Sequence, residues 1–124
     1  MVMPKVLLVD DDAAIIETLQ CLVSVRGGEV VALTDSQEAA DRIQAGEQFG
    51  LMLTDLRMKP VDGIQLITLA REKLPDMPVI VVSAYLDDKT IEHIQELGCR
   101  AYLDKPFSVD DVNSLLQMYL GPSA

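Results

Sequence analysis

Four places in this chain hold residues that can do chemistry together. Asp10-Asp11-Asp12 follows the apolar run Val6-Leu7-Leu8-Val9, and Thr54-Asp55 follows Leu51-Met52-Leu53. Ser83-Ala84 follows the run from Pro78 to Val82, and Asp104-Lys105 follows Ala101-Tyr102-Leu103. Carboxylates held within a few ångström of one another repel, and they raise one another's pKa unless a cation lies between them. Oxygen ligands without His or Cys suit a hard ion, and Mg²⁺ commonly takes one or two carboxylates with water and a phosphate oxygen. A lysine opposite the acids is a point charge for a phosphoryl oxygen. A hydroxyl and a backbone N–H at Ser83-Ala84 can hold another. Phosphoryl transfer needs mainly positioning and charge neutralisation, and a carboxylate nucleophile would form an acyl phosphate.

Each piece also has a plainer explanation. Aspartates just before a helix are often caps, and that is the reading preferred for Asp12. Capping accounts for at most one carboxylate of the Asp10-Asp11 pair at the end of a buried strand. Ser83 alone could be a turn residue, and Lys105 before Pro106 an ordinary surface lysine. What raises the odds is convergence from four strands.

The elements that must position these residues follow from periodicity. Val6–Val9, Val30–Leu33, Leu51–Leu53, Pro78–Val82 and Ala101–Leu103 are short apolar runs, as strands buried on both faces should be. Between them lie helix-period segments. Ile15, Leu19, Leu22 and Val23 recur until Gly27-Gly28, and a helix from about Ser36 to Ala45 is capped by Thr34 or Asp35 and closed by Gly46. Ile64, Ile67, Ala70 and Leu74 mark the third helix, and Ile91, Ile94 and Leu97 the fourth, ending at Gly98. Ser108 with Asp111 resembles a capping box opening a last helix through Val112, Leu115, Leu116 and Tyr119, which Gly121-Pro122 ends. Five strands alternating with five helices imply right-handed crossovers and a parallel sheet covered on both faces. Ligands of such a sheet bind outside the carboxyl ends of its strands, which is where the four groups fall.

Composition narrows the function classes. The 124 residues carry a net charge of −10, which argues against nucleic-acid binding because phosphate contacts need clustered Lys and Arg. Length points to one domain spanning 1–124, with 121–124 a tail or a cut linker. Cys21 and Cys99 each sit in an apolar stretch and read as reduced, packed thiols. No run approaches the length of a membrane span, and Met1 to Val9 leaves no room for a signal-peptide core, so the expected location is cytoplasmic.

Taken together, Val6 to Asp12, Leu53-Thr54-Asp55-Leu56-Arg57-Met58, Asp62-Gly63, Val82-Ser83-Ala84 and Tyr102 to Phe107 resemble the receiver domain of bacterial two-component response regulators. The pieces come in family order and spacing over the whole chain. The resemblance implies a flavodoxin-like α/β fold with sheet order 2-1-3-4-5. It implies Asp55 as phosphoacceptor and a Mg²⁺ ion held by Asp10, Asp11, Asp55 and the Arg57 backbone carbonyl. Ser83, the Ala84 N–H and Lys105 would hold the phosphoryl oxygens. Ser83 and Tyr102 would act as the switch pair, and Lys105-Pro106 would be a cis peptide. Spacing alone leaves Tyr102 evenly divided between switch and ordinary packing.

The same resemblance implies a sensor histidine kinase or histidine phosphotransfer protein as donor and an output domain or downstream protein as receiver of the signal. A homodimer through the face of the fourth helix, fifth strand and fifth helix is a further possibility, and no membrane or nucleic-acid contact is expected. The chain would catalyse only its own phosphorylation and dephosphorylation. One departure stands out: Met58-Lys59-Pro60 places proline one residue later than the family commonly has it, which puts the Arg57 carbonyl in doubt. Arg57 and Tyr85 are large groups that could screen the acyl phosphate from water. His93 reads as a helix-surface side chain rather than a phosphohistidine.

Three competing functions share this fold. A phosphatase with an aspartyl-phosphate intermediate fits the Asp10–Asp12 spacing but lacks an Asp-Gly-Thr continuation. A flavin or nucleotide module needs a Gly/Ser/Thr-rich phosphate loop after the first strand, where three aspartates stand instead. A degenerate receiver used only for docking is disfavoured by the full set of acids with Lys105.

Overall fold

The computed structural model describes residues 5–121. Five strands, β1 (Val6–Val9), β2 (Val30–Leu33), β3 (Leu51–Thr54), β4 (Val79–Ser83) and β5 (Ala101–Asp104), alternate with helices α1 (Ala13–Ser24), α2 (Ser36–Gln44), α3 (Gly63–Lys73), α4 (Asp88–Glu96) and α5 (Val109–Leu120). All strand pairs are parallel and the order is β2-β1-β3-β4-β5, the expected one. No helix among the described residues is long and apolar enough to cross a membrane.

The period of two along each strand divides the core into two layers. Leu7, Val9, Met52, Val79 and Val81 pack with Ala39, Ile43, Leu66, Ile67, Ala70 and Ile94 of α2, α3 and α4. Val6, Leu8, Leu51, Leu53, Ile80 and Val82 face the other way, against Ile16, Leu19 and Val23 of α1 and Val112, Leu116 and Leu120 of α5. The central strands β1, β3 and β4 are buried at every position, which is why they read as unbroken apolar runs. β5 alternates buried and exposed, so its Tyr102 and Asp104 face outward.

Helix starts follow local chemistry. Asp12, Asp35, Asp62, Asp87 and Ser108 each accept a backbone N–H at the N-terminus of α1 to α5 in turn. The reciprocal capping box forms at Asp62 and Gln65, whereas at α5 the recorded bond runs from Asp111 N–H to the Ser108 hydroxyl. Gly121 follows α5 with φ +80°, as the expected stop requires, while Pro122 and the rest of the tail lie outside the described residues.

Three sequence expectations shift. Thr54, Ser83 and Asp104 are the last residues of their strands rather than the first residues beyond them, because the parallel ladder continues through Val9–Thr54 and Ser83–Asp104. Pro78 lies just outside β4, where it has no N–H to give but its carbonyl accepts from Met52. Cys21 is not packed. It is exposed, while Cys99 is buried. The buried stripe of α1 runs through Ile16, Leu19 and Val23, and position 21 falls on the opposite side of the helical wheel.

Gly63 links the fold to the candidate chemistry. A Cβ there would stand 2.1 Å from the Asp55 carbonyl oxygen and 2.6 Å from the Leu56 Cα. The first turn of α3 is thus pressed against the backbone that presents Asp55, and the Gly63 N–H donates to the Leu56 carbonyl at 2.8 Å. Gly63→Ala is expected to destabilise the chain by about 2–3 kcal/mol through overpacking against main chain that cannot yield. Urea denaturation of the two proteins measures this, and a loss below a few tenths would show that the contact is loose.

Candidate functional site

The five strands end on one rim, and the central ones carry the acids there. Asp10 follows β1, its backbone N–H donating to Leu33 of β2, and Asp55 follows β3, its N–H donating to Val9 of β1 at 3.0 Å. The ladder that holds the strands together therefore also holds the two carboxylates side by side. Asp10, Asp11 and Asp55 each present an oxygen within 4.8 Å of the others, with Asp10 and Asp55 buried and Asp11 exposed.

Lys105, on the loop after β5, reaches across this rim. Its ammonium donates to Asp10 Oδ2 at 2.7 Å and to Asp55 Oδ2 at 3.1 Å. The second oxygens are also engaged: Asp12 N–H donates to Asp10 Oδ1 at 2.9 Å, and Leu56 N–H to Asp55 Oδ1 at 2.7 Å. Burial pushes the Asp10 carboxyl above its ordinary range, and the Lys105 and Asp12 bonds only partly offset that. For Lys105 the balance reverses. Burial alone would lower its pKa, but the bonds to Asp10 and Asp55 together carry it above 10.5.

The remaining sequence-derived residues fall at graded distances from this centre. Ser83 is buried at the end of β4, its hydroxyl accepting the Tyr85 N–H at 3.1 Å, and its carbonyl accepts the Lys105 N–H at 3.0 Å. Ala84 is exposed beside it. Tyr102 pairs in register with Val81 and is 36% exposed, so its ring stands at the surface. The Lys105–Pro106 peptide is cis, and so is Lys59–Pro60, in the loop that departs from the family pattern. Asp12 is committed to capping α1, accepting from the Ala14 and Ile15 N–H groups, and Asp35 caps α2 beside the edge strand. Asp104 is exposed on β5 and stands apart from the three clustered carboxylates. His93 is exposed on α4.

Two features were beyond the reach of spacing. The Arg57 guanidinium lies over the Tyr85 ring, 3.8 Å from its centroid, tying the loop after β3 to the loop after β4. Large side chains two residues past Asp55 and Ser83 were the only signal for it. Gly63 was visible only as half of an Asp-Gly pair, with nothing to say that it abuts Asp55.

Chemically, the arrangement offers three hard oxygen donors on one side and a fixed ammonium on the other. That donor set fits a small divalent cation, whose charge would relieve the repulsion among the acids. The family model described as the response regulator receiver domain matches residues 6–117. Among curated proteins, response regulator protein FleR of Pseudomonas aeruginosa is 42% identical over 83% of this chain and 22% of its own length. The DNA-binding transcriptional regulator NtrC of Proteus hauseri is 30% identical over 91% of this chain and 24% of its own. This chain thus spans about a quarter or less of either relative. A CheY-like receiver domain crystal structure from Methanospirillum hungatei superposes with TM-score 0.86 at 27% identity, covering 94% of this chain and 92% of that one. On fold, site and match alike, the chain belongs to the response regulator receiver domain family.

Proposed function

We propose that Asp55 is the phosphoacceptor of this receiver and that Mg²⁺ is its metal. The observation that carries the reading is the shared ammonium: Lys105 bonds both the candidate acceptor and the acid beside it. Asp10, Asp11, Asp55 and the Arg57 carbonyl would hold the ion, which neutralises charge on the transferred group. An Asp55 oxygen attacks phosphorus as the N–P bond of a donor phosphohistidine breaks, and the imidazole leaves with the bonding pair. Lys105 then exchanges its Asp55 contact for a phosphoryl oxygen, and the Ser83 hydroxyl and Ala84 N–H serve the others. Movement of Ser83 towards the phosphoryl group opens space for Tyr102, which makes that pair the switch.

The donor is a sensor histidine kinase or a histidine phosphotransfer protein, and the signal passes to an output domain or a downstream protein in the cytoplasm. The NtrC relative is a DNA-binding transcriptional regulator about four times longer than the matched segment, which supports an output of that kind. Homodimerisation through α4, β5 and α5 is compatible with the exposure of Tyr102, Val109 and Met118. Residues 1–124 act as one receiver domain, which turns over no external substrate.

The deciding experiment is intact-protein mass after incubation with acetyl phosphate, with and without Mg²⁺. A single phosphoryl adduct is expected that needs the ion and is absent from Asp55→Asn. An adduct that persists in the variant would move the acceptor elsewhere. A second expectation concerns its lifetime. The Arg57–Tyr85 stack beside the site should hinder water, so Arg57→Ala and Tyr85→Ala should each shorten the half-life of the phosphorylated protein severalfold. An unchanged half-life would show that the stack does not shield it.

The raised pKa of Asp10 yields a pH signature. The folded chain keeps a proton on Asp10 at pH values where the unfolded chain, with an ordinary pKa near 3.8, has lost it. Stability therefore falls as pH rises through that window. In metal-free buffer at pH 7, Asp10→Asn is expected to stabilise the fold, because the folded chain no longer has to ionise a buried carboxyl. The gain should vanish as pH falls below the ordinary carboxylate pKa. Lys105 adds no competing slope there, because its contribution is full below its unfolded pKa and is lost only in strongly alkaline solution. Urea melts across pH test this, and an equal gain at pH 3.5 and pH 7 (about a third of a unit below and three units above the ordinary value) would refute it.

A further inference from the structure

A groove of about 380 Å³ opens between α3 and α4, beginning one residue past Asp55. Leu56 and Ile64 supply apolar lining, and Arg57, Asp62, Tyr85, Lys89 and His93 the polar walls. Asp55 itself is not part of the lining, although Leu56 donates its N–H to Asp55 Oδ1, so the groove adjoins the candidate acceptor without containing it.

Among the described residues Lys5, Arg42 and Lys105 are paired with carboxylates, and Arg26 and Arg71 donate to backbone carbonyls. Arg57 and Lys89, like Lys59, Lys73 and Arg100, make no ion pair among the described residues, and they stand on two walls of one groove, with Lys59 two residues from Arg57. Two carboxylates stand near them, both capping helices; Asp87 is held below its usual range first by its Thr90 bonds and further by the charges of Lys89 and Arg57. Asp62 Oδ1 accepts the Gln65 N–H at 2.8 Å, and Asp87 Oδ1 accepts the Thr90 N–H at 2.8 Å. Asp88, Glu92 and Glu96 lie on α4 but do not line the groove. The Arg57 guanidinium is also held flat on the Tyr85 ring, which limits the rotamer freedom it would lose on binding and leaves its edge to donate.

We propose that this groove seats an acidic peptide segment of a protein partner, with its carboxylates against Arg57 and Lys89 and an apolar side chain over Leu56 and Ile64. The volume suits a few side chains, and the cations stand on separate elements on either side of an open channel, an arrangement that fits an extended segment better than a lone anion. A net charge of −10 repels such a segment from the remaining surface, so the groove is where it can settle. The assignment is independent of the acceptor reading, since no step of it passes through Asp55.

The test uses the full chain and two fluorescein-labelled peptides, Leu-Glu-Glu-Phe and Leu-Lys-Lys-Phe. The acidic peptide is expected to bind with an affinity that falls as salt rises, and amide shifts should centre on Arg57, Ile64, Tyr85, Lys89 and Thr90. Lys89→Gln, which drops only the charge, should weaken binding severalfold, and Lys89→Glu by about tenfold or more, with unchanged melting as the folding control. No binding, equal binding of the basic peptide, or shifts centred elsewhere would overturn the proposal. Equal perturbation by free glutamate would reduce the groove to an anion site and overturn it too. The Asp55 mass adduct, measured separately, reports on the acceptor reading whatever the peptides do.

Discussion

The rest of this structure is arranged around one electrostatic constraint, that two carboxylates buried side by side at the ends of β1 and β3 need a cation. Lys105 supplies it by donating to both Asp10 and Asp55. Breaking a buried pair of this kind leaves an uncompensated charge and is far more damaging than losing a surface ion pair. The loop after β5 must therefore come back over the rim. Its backbone is secured there by the bond from Lys105 N–H to the Ser83 carbonyl, which places hydroxyl, ammonium and carboxylates in one small volume.

A parallel sheet suits this arrangement because all five strands end on the same side. The central strands are buried on both faces, so nothing polar can be accommodated within them, and the charged groups collect at their carboxyl ends. Helix caps fill the remainder of the rim. Asp12, Asp62 and Asp87 bind helix N–H groups, which separates them from the acids available to a metal ion although they lie close by in sequence. Residual instability stays in the site: burial raises the Asp10 pKa, so ionising it costs stability, and that leaves room for a ligand to stabilise the fold by binding.

The loops leaving β3 and β4 extend this logic outward. Gly63 lets α3 press on the Asp55 backbone, and the Arg57–Tyr85 stack joins the two loops at the edge of the site. Packing this close leaves little slack between the Asp55 backbone, the first turn of α3 and the loop after β4.

Much of this was determined by sequence alone. Unbroken apolar runs separated by helical periods dictate a doubly covered parallel sheet, and the residues at the ends of those runs gather carboxylates and an amine on one rim. Both are local properties, legible because period and residue type need no knowledge of distant neighbours. Tertiary structure decided what depends on distance between remote positions. Asp10 and Lys105 are 95 residues apart and Asp55 and Lys105 are 50 apart, so only the folded sheet could show one ammonium serving both acids. The same holds for the Cβ-excluding contact at Gly63, the stack of Arg57 on Tyr85 and the separation of Asp104 from the cluster. Cys21 makes the point within a single helix. An apolar neighbourhood in sequence says little about which side of α1 a residue occupies, because a turn of 100° per residue separates neighbours that composition groups together.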